Sequence, residues 1–124
     1  MKKIIIILVC CISLISCSDN KKLDVKSFRT GTFEIPAGKG FKKTTFTRID
    51  SLQIEIYGDR IDSLSIIWKD NFNYTLKMLH PKSALDKQPI RVKITGIKYN
   101  SYDFEAVIGH SNYKQTGTVV KIAD

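Results

Sequence analysis

The feature that most constrains the fold of this sequence is an alternation of apolar and polar residues that runs from Leu52 to Ile108. A period of two residues is typical of strands with one buried face and one face in water. The polar set, which includes Gln53, Glu55, Arg91 and Lys93, is therefore assigned to solvent. The apolar set is assigned to the core and consists of Leu52, Ile54, Ile56, Leu64, Ile66, Trp68, Phe72, Tyr74, Leu76, Met78, Ile90, Val92, Ile94, Tyr102, Phe104, Ala106 and Ile108.

Short connections rich in turn-forming residues separate these strands. Lys69-Asp70-Asn71 predicts a three-residue hairpin that places Trp68 opposite Phe72, because Asn tolerates the positive φ that such a turn needs. The other predicted turns are Gly58-Asp59-Arg60 and Gly109 to Asn112, and the one long connection runs from His80 to Pro89. Further strands are predicted over 28–35, 41–48 and 113–122, which makes eight in all.

An eight-stranded meander exposes two sheet edges unless it closes on itself. We therefore expect an all-β fold, an antiparallel meander of about eight strands in a closed or nearly closed barrel, like a small lipocalin. A barrel of this size is either filled by side chains or holds one small ligand, and the large apolar side chains of the core set favour filling. The last hairpin is expected to place Gly117 opposite Phe104, whose ring then covers the glycine.

The N-terminus has the pattern of an export signal. Lys2-Lys3 precedes an apolar run from Ile4 to Ile15, which is too short to span a bilayer, and Ser16 is a small residue before Cys17. Leu14 to Cys17 resembles a bacterial lipobox, in which the cysteine is acylated and the preceding peptide is removed. The rival cysteines, Cys10 and Cys11, follow too few apolar residues.

Three segments follow from this interpretation: a signal peptide over 1–16, a lipidated Cys17 with a flexible tether over 17–26, and a single barrel-like domain over 27–124. Ser18 after the cysteine resembles the outer-membrane lipoproteins of enteric bacteria. Lys21-Lys22 interrupts the acidic run that some surface lipoproteins carry, which favours the periplasmic face over the cell surface. The predicted location is the cell envelope, held by the lipid.

Catalytic and metal-binding patterns are sparse in the sequence. His80 and His110 fall in predicted turns, and there is no HxxH, CxxC or carboxylate cluster at ligand spacing. Asp103 and Glu105 share a strand face, but Arg91 and Lys93 on the preceding strand favour surface salt bridges between these two pairs. The sequence therefore predicts no enzyme activity, no cofactor and no metal site.

The charge balance indicates an anionic partner. Removal of residues 1–16 takes away Lys2 and Lys3, so the formal charge falls from +8 to +6. Lys39, Lys42 and Lys43, in the first predicted hairpin, are the candidate contacts to an anionic lipid or glycan of the envelope. A merely solvated basic face is the alternative. Nucleic acid is not expected, because the chain is exported and its strand aromatics share the core face.

Several segments together resemble a group of small flavobacterial-type lipoproteins of the Bacteroidetes. They are Thr30 to Phe33, Thr47 to Glu55, Trp68, Tyr74 to Leu76, His80 to Lys82 and Gly117 to Val119. This resemblance implies a lipoprotein and carries no catalytic motif. Similar chains are sometimes labelled "DNA topoisomerase IV", but that enzyme needs a DNA-cleaving tyrosine, metal-binding acids and many times this length.

Three functions follow from these observations. A non-enzymatic binding or accessory module of the envelope, with an anionic lipid, a glycan or an envelope protein as partner, is favoured. A carrier of a small apolar ligand in the barrel is the second. A hydrolase is the third, and it requires a histidine and a carboxylate to meet in one cleft.

Overall fold

The computed structural model describes residues 24–124, and the predicted fold is confirmed: eight antiparallel strands, each paired with its neighbours in chain order, close into a barrel. The signal segment, Cys17 and most of the tether lie outside the described residues. Within the described part of the chain, no helix is long and apolar enough to cross a membrane. The strands are β1 (Gly31–Ile35), β2 (Thr44–Ile49), β3 (Leu52–Tyr57), β4 (Arg60–Asp70), β5 (Asn73–Met78), β6 (Ile90–Ile97), β7 (Ser101–Ile108) and β8 (Lys114–Ala123).

A single turn of 3-10 helix, Val25–Arg29, precedes β1 and is called the plug helix below. The Asp24 side chain caps it by accepting a hydrogen bond from the Lys26 amide at 3.1 Å. Phe28 is fully buried, and its ring lies edge-on to Tyr102 with centroids 5.1 Å apart. Val25 and Lys26, assigned above to the tether, are therefore part of a folded cap. Phe28, assigned above to a strand, instead fills one end of the barrel.

The plug helix makes the two ends of the barrel different. The closed end is the one it covers, where the connections at 50–51, 71–72 and 98–100 also lie. The open end is formed by the connections at 36–43, 58–59, 79–89 and 109–113. The described chain begins at the closed end, because Asp24 directly precedes the plug helix.

The predicted core is confirmed for most of the wall. The buried apolar residues from the predicted set are Leu64, Ile66, Tyr74, Leu76, Val92, Ile94, Tyr102, Phe104 and Ala106, and Trp68, Met78 and Ile90 pack against them partly buried. Phe28, Phe33, Phe46 and Val119 complete the core. Gly117 lies opposite Phe104 as predicted, and a Cβ on Gly117 would lie only 2.8 Å from the Phe104 ring.

The predicted faces of β3 are wrong. Ile54 and Ile56 lie on the outside of the barrel, 37% and 47% exposed. Gln53 points inward and is 1% exposed, and Glu55 is half-buried on the same face. Leu52, also assigned to the core, is opposite Ser65 on the outer face. This strand therefore contributes polar side chains to the interior.

The length of one turn explains this inversion. The predicted three-residue turn, Gly58-Asp59-Arg60, has only two residues in the structure, because Arg60 pairs with Tyr57 at the start of β4. The change moves the register by one residue and puts Gln53 opposite the buried Leu64. A one-residue slip sends every side chain of a strand to the other face.

The β4–β5 hairpin also differs from its prediction, although its faces do not change. Trp68 pairs with Tyr74 rather than with Phe72, and an irregularity in β4 lies between Trp68 and Asp70. Since Tyr74 and Phe72 are two residues apart, the core face of β5 is preserved. Phe72 itself lies in the turn and is 47% exposed, so it does not belong to the core.

Candidate functional site

The interior of the barrel contains a fully buried arginine, Arg48 on β2. Its Nε donates to Gln53 Oε1 at 2.8 Å and one Nη donates to the Phe28 carbonyl oxygen at 2.8 Å. The other Nη donates to the hydroxyls of Tyr74 and Tyr102, both at 2.9 Å. A guanidinium has five N–H groups, so four of them are paired with defined partners. Arg48 therefore joins the plug helix to four strands of the barrel, namely its own strand β2 and the strands β3, β5 and β7.

Aromatic rings surround the Arg48 guanidinium. Its central carbon lies between 4.7 and 5.8 Å from the ring centroids of Phe33, Phe46, Trp68, Tyr74 and Tyr102. Burial favours a lower pKa for Arg48, but Tyr74 and Tyr102 outweigh burial and raise it. Arg48 thus remains a cation, held by ring faces and hydroxyl oxygens rather than by a carboxylate.

Arg48 is connected to an acidic side chain, Glu55, through Gln53. Gln53 accepts from Arg48 and its Nε2 donates to Glu55 Oε1 at 2.7 Å. Burial raises the pKa of the Glu55 carboxyl, the Gln53 bond opposes that rise, and the neighbouring Asp62 adds to it. The Gln53 amide therefore links the buried guanidinium of Arg48 on β2 to the half-buried carboxyl group of Glu55 on β3.

This polar cluster forms the floor of a cavity of about 140 Å³ that lies toward the open end. Phe46, Tyr74, Phe104 and Gln115 are among its lining residues, together with Arg48 and Glu55. An apolar cavity of about 150 Å³ is large enough for benzene, whereas drug-sized ligands need roughly 300 Å³ or more. The interior is thus largely filled, as the core set predicted, but three of the side chains that fill it are polar.

An ion-pair cluster lies beside the cavity mouth. Arg60, at the start of β4, bonds Asp62 Oδ2 at 2.6 Å and Asp86 Oδ2 at 2.9 Å. Asp86 also accepts the Lys82 amide at 3.1 Å, and this bond is the main reason that the pKa of Asp86 is lowered. Arg60 therefore fastens the 79–89 connection to the barrel rim.

The three predicted anion contacts lie together at the open end. Lys39, Lys42 and Lys43 are all exposed in the connection between β1 and β2. Lys43 pairs with Glu34 at 3.4 Å, whereas Lys39 and Lys42 form no ion pair with any described residue. Their contact with an anionic partner stays a prediction.

The structure keeps the two histidines apart. His80 and His110 are exposed in different connections, and neither hydrogen-bonds a carboxylate among residues 24–124. Within the same range no three histidine, cysteine, aspartate or glutamate side chains converge as a metal site. Neither histidine is therefore paired with a carboxylate among the described side chains.

The predicted salt bridges across β6 and β7 are wrong. Asp103 pairs with Lys98 at 3.6 Å and accepts from Thr118 Oγ1 at 2.7 Å. Arg91 donates to the Gly109 carbonyl oxygen at 3.0 Å instead. Lys93 lies opposite Glu105 without an ion pair between them within 4.0 Å. The lysine in the β6–β7 connection reaches Asp103 more easily than the strand residues do.

The sequence reasoning missed the polar cluster for two different reasons. Gln53 and Glu55 were assigned to solvent because they are the polar members of an alternating strand, and the two-residue turn at 58–59 turns them inward. Arg48 ends a predicted strand, where a charged residue is ordinarily exposed. The available signal was register, because a two-residue turn at Asp50-Ser51 puts Arg48 and Gln53 on the same face.

Comparison with known proteins adds no family to this geometry. No protein-family model, no curated protein and no solved structure matches the chain.

Proposed function

We propose that this protein is a lipid-anchored, non-enzymatic binding module of the cell envelope that engages its partner at the open end of the barrel. The observation that carries the proposal is the difference between the two ends. The chain enters at the closed end, which the plug helix seals. The open end has the cavity mouth and the lysines of the β1–β2 connection. The end next to the tether is thus structural, and the opposite end is available for binding.

The anchor part of the proposal is supported by the signal pattern and by Cys17. Two or three acyl chains hold a protein to a membrane far more firmly than one, since each buried methylene contributes about 0.8 kcal/mol. Cys17→Ala is expected to give an unprocessed or a soluble exported form, measured by fractionation after a high-salt wash. Normal processing together with retention in the membrane fraction contradicts the anchor.

The binding part of the proposal is supported by the position of Lys39, Lys42 and Lys43. They lie at the end of the barrel away from the tether, so an anion beyond the anchoring bilayer is better placed to meet them than that bilayer itself. Envelope glycans and lipopolysaccharide have the required charge. Attraction between exposed charges is Coulombic and weakens with salt, because the Debye length shrinks from about 10 Å at 0.1 M to about 3 Å at 1 M.

The test exchanges these three lysines for glutamate in the full-length protein. The change takes the mature charge from +6 to 0, and binding to anionic vesicles and lipopolysaccharide is expected to disappear. The matched control changes Lys69, Lys77 and Lys93, three exposed lysines elsewhere on the barrel, and alters the charge equally. Equal loss in both triple variants means that net charge alone acts, and unchanged binding in the first variant removes the anion proposal.

The cavity favours a second function, a carrier of a small ligand. Its volume of about 140 Å³ limits the ligand to about the size of benzene, and the Arg48 and Glu55 floor requires a polar group on it. Phenol is therefore expected to raise the melting temperature more than benzene does. The absence of a shift with either compound contradicts the carrier.

A further inference from the structure

We infer that the edge of β8 at the open end binds an extended, acidic polypeptide segment as an additional strand. The inference rests on the proposed function for its location, and it specifies the partner as a polypeptide. It is carried by the pairing of β8, by the groove beside it and by the charges around that groove.

The barrel is parted at the open end between β1 and β8. β7 pairs with β8 from Lys114 to Val120. β1 pairs only with the C-terminal part of β8, from Val120 to Ala123, and the pair nearest the open end joins Glu34 to Val120. Among the described residues, the segment from Lys114 to Thr118 thus has a strand neighbour on one side only. A strand edge of this kind is a template for a further strand.

The direction of the free backbone groups follows from one hydrogen bond. The Lys121 amide donates to the Asn100 carbonyl oxygen at 2.8 Å, on the β7 side. Backbone groups alternate between the two sides of an antiparallel strand, so residues 119 and 117 also face β7. The N–H and C=O groups of Thr116 and Thr118 therefore face away from β7. Pro36, which follows β1 directly, has no N–H to offer them.

A groove of about 500 Å³ runs beside this edge. Ile35, Phe41 and Tyr57 line one side, and β8 residues 115–118 line the other. Because Gly117 has no side chain, the Phe104 ring beneath it forms part of the lining. The groove thus combines a hydrogen-bonding edge with apolar surface, which is what alternate side chains of an extended peptide need.

The charges near the groove select an acidic partner. Lys42 and Lys114 adjoin the lining residues Phe41 and Gln115 in the chain, and Lys39 lies in the same connection as Phe41. All three lysines are exposed, and none forms an ion pair within residues 24–124. Acidic side chains on the added strand neutralise them. A second copy of this chain brings the same three lysines to the groove, and repulsion between like charges disfavours that occupant.

The test uses the full-length protein in detergent and a nine-residue peptide that alternates valine with glutamate. Hydrogen exchange at single residues is measured with and without the peptide. The Thr116 and Thr118 amides are expected to exchange rapidly in the free protein and at least about tenfold more slowly with the peptide bound, because the added strand accepts from them. The Gly117 and Val119 amides are protected in both states. Slow exchange of Thr116 and Thr118 in the free monomer overturns the inference, and so does a concentration-dependent dimer that protects them.

Two sets of variants separate the edge from charge alone. Thr116→Pro removes one N–H on the free edge without touching the bonds to β7, and peptide binding is expected to weaken about tenfold at an unchanged melting temperature. Lys39→Glu with Lys42→Glu is expected to abolish binding, whereas the matched control, Lys82→Glu with Lys87→Glu in the 79–89 connection, retains it. Should Thr116→Pro not fold, the lysine variants and the exchange rates decide the outcome.

The two proposals fail in distinguishable ways. If anionic vesicles bind through Lys39, Lys42 and Lys43 but the peptide does not bind, the inferred strand addition is wrong and the proposed function stands. Peptide binding that is unaffected by the Lys39 and Lys42 changes, with no protection of Thr116, overturns the inference as well. A variant of Cys17 that remains in the membrane fraction bears only on the anchor.

Discussion

Strands β3 and β6 both alternate apolar and polar residues in sequence, yet β6 turns its apolar side chains into the barrel and β3 turns its polar ones inward. β6 points Val92 and Ile94 into the core, whereas β3 points Gln53 inward and Ile54 and Ile56 outward. The comparison teaches that alternation establishes two unlike faces without saying which one is buried. That choice is made by the number of residues in the adjoining turns.

The inverted strand is tolerated because its polar side chains pair with one another. Gln53 bonds Arg48 on one side and Glu55 on the other, so its buried amide has both a donor and an acceptor partner. A buried polar network that is satisfied costs far less than an isolated polar group. Outside the barrel, Ile56 pairs with Ile61 across the strands and shields part of the exposed surface.

The largest expected effect is the difference in stability between removing the inward-pointing Arg48 and removing the exposed Arg91. Arg48→Ala removes the shared donor of Gln53, Tyr74 and Tyr102 and leaves a hole in the core, although the two tyrosine hydroxyls still bond each other at 2.8 Å. We expect the free energy of unfolding to fall by about 3 to 5 kcal/mol. Arg91→Ala on β6, where the side chain is exposed and bonds a single carbonyl oxygen, is expected to cost about 1 kcal/mol or less. Urea denaturation measures both values, and similar costs for the two variants contradict the burial of Arg48.

The next effect tests the two apolar faces directly. Ile94→Ala on β6 opens a hole in the core, and we expect a loss of about 2 to 5 kcal/mol in the free energy of unfolding. Ile56→Ala on β3, at an exposed site, is expected to change it by about 0.5 kcal/mol. The same denaturation experiment compares them. Equal losses mean that β3 packs its isoleucines inward.

The smallest effect is a pH dependence that comes from Glu55. Burial raises the pKa of Glu55, so at a pH between the unfolded and the folded pKa the folded protein keeps a proton on Glu55 that the unfolded chain has released. The free energy of unfolding therefore falls as the pH rises from about 4.3, the unfolded pKa, to the folded pKa, and it levels off above. Glu55→Gln removes this slope, so the melting temperature of the wild type minus that of the variant decreases across this window.

Other acids do not disturb that comparison. The pKa of Asp70 is lowered chiefly by its bond from the Asn73 side chain, and that of Asp86 by the Lys82 amide. Both stabilise the fold above about pH 3.9 and lose this contribution as the pH falls, and they are present in both proteins. Parallel melting curves for wild type and Glu55→Gln from pH 3.5 to 8 contradict a raised Glu55 pKa.

The sequence predicts the fold better than the site for a physical reason. Strand count, closure and the placement of Gly117 opposite Phe104 depend on local pattern and on the rule that edges must be paired, and these were confirmed. The site depends on register, which one residue in the 58–59 turn reverses. Arg48 depends on more distant partners, since its bonds reach Phe28, Tyr74 and Tyr102, which lie 20 to 54 positions away in the chain.

The plug helix also determines how the molecule carries mechanical load. A pull on the N-terminal segment is transmitted to Val25–Arg29 before it reaches any strand. Three side-chain hydrogen bonds join that helix to the barrel: from Arg48 to the Phe28 carbonyl oxygen and from Lys121 Nζ to the Ser27 carbonyl oxygen, each 2.8 Å long, and from Arg29 to Asn71 Oδ1 at 3.1 Å. A force applied through the N-terminal segment therefore acts first on the buried arginine, on the 71–72 connection and on β8, which also pairs with β1 at the closed end. We therefore expect the Phe28 ring to leave the barrel before any hairpin separates when the protein is pulled from this side.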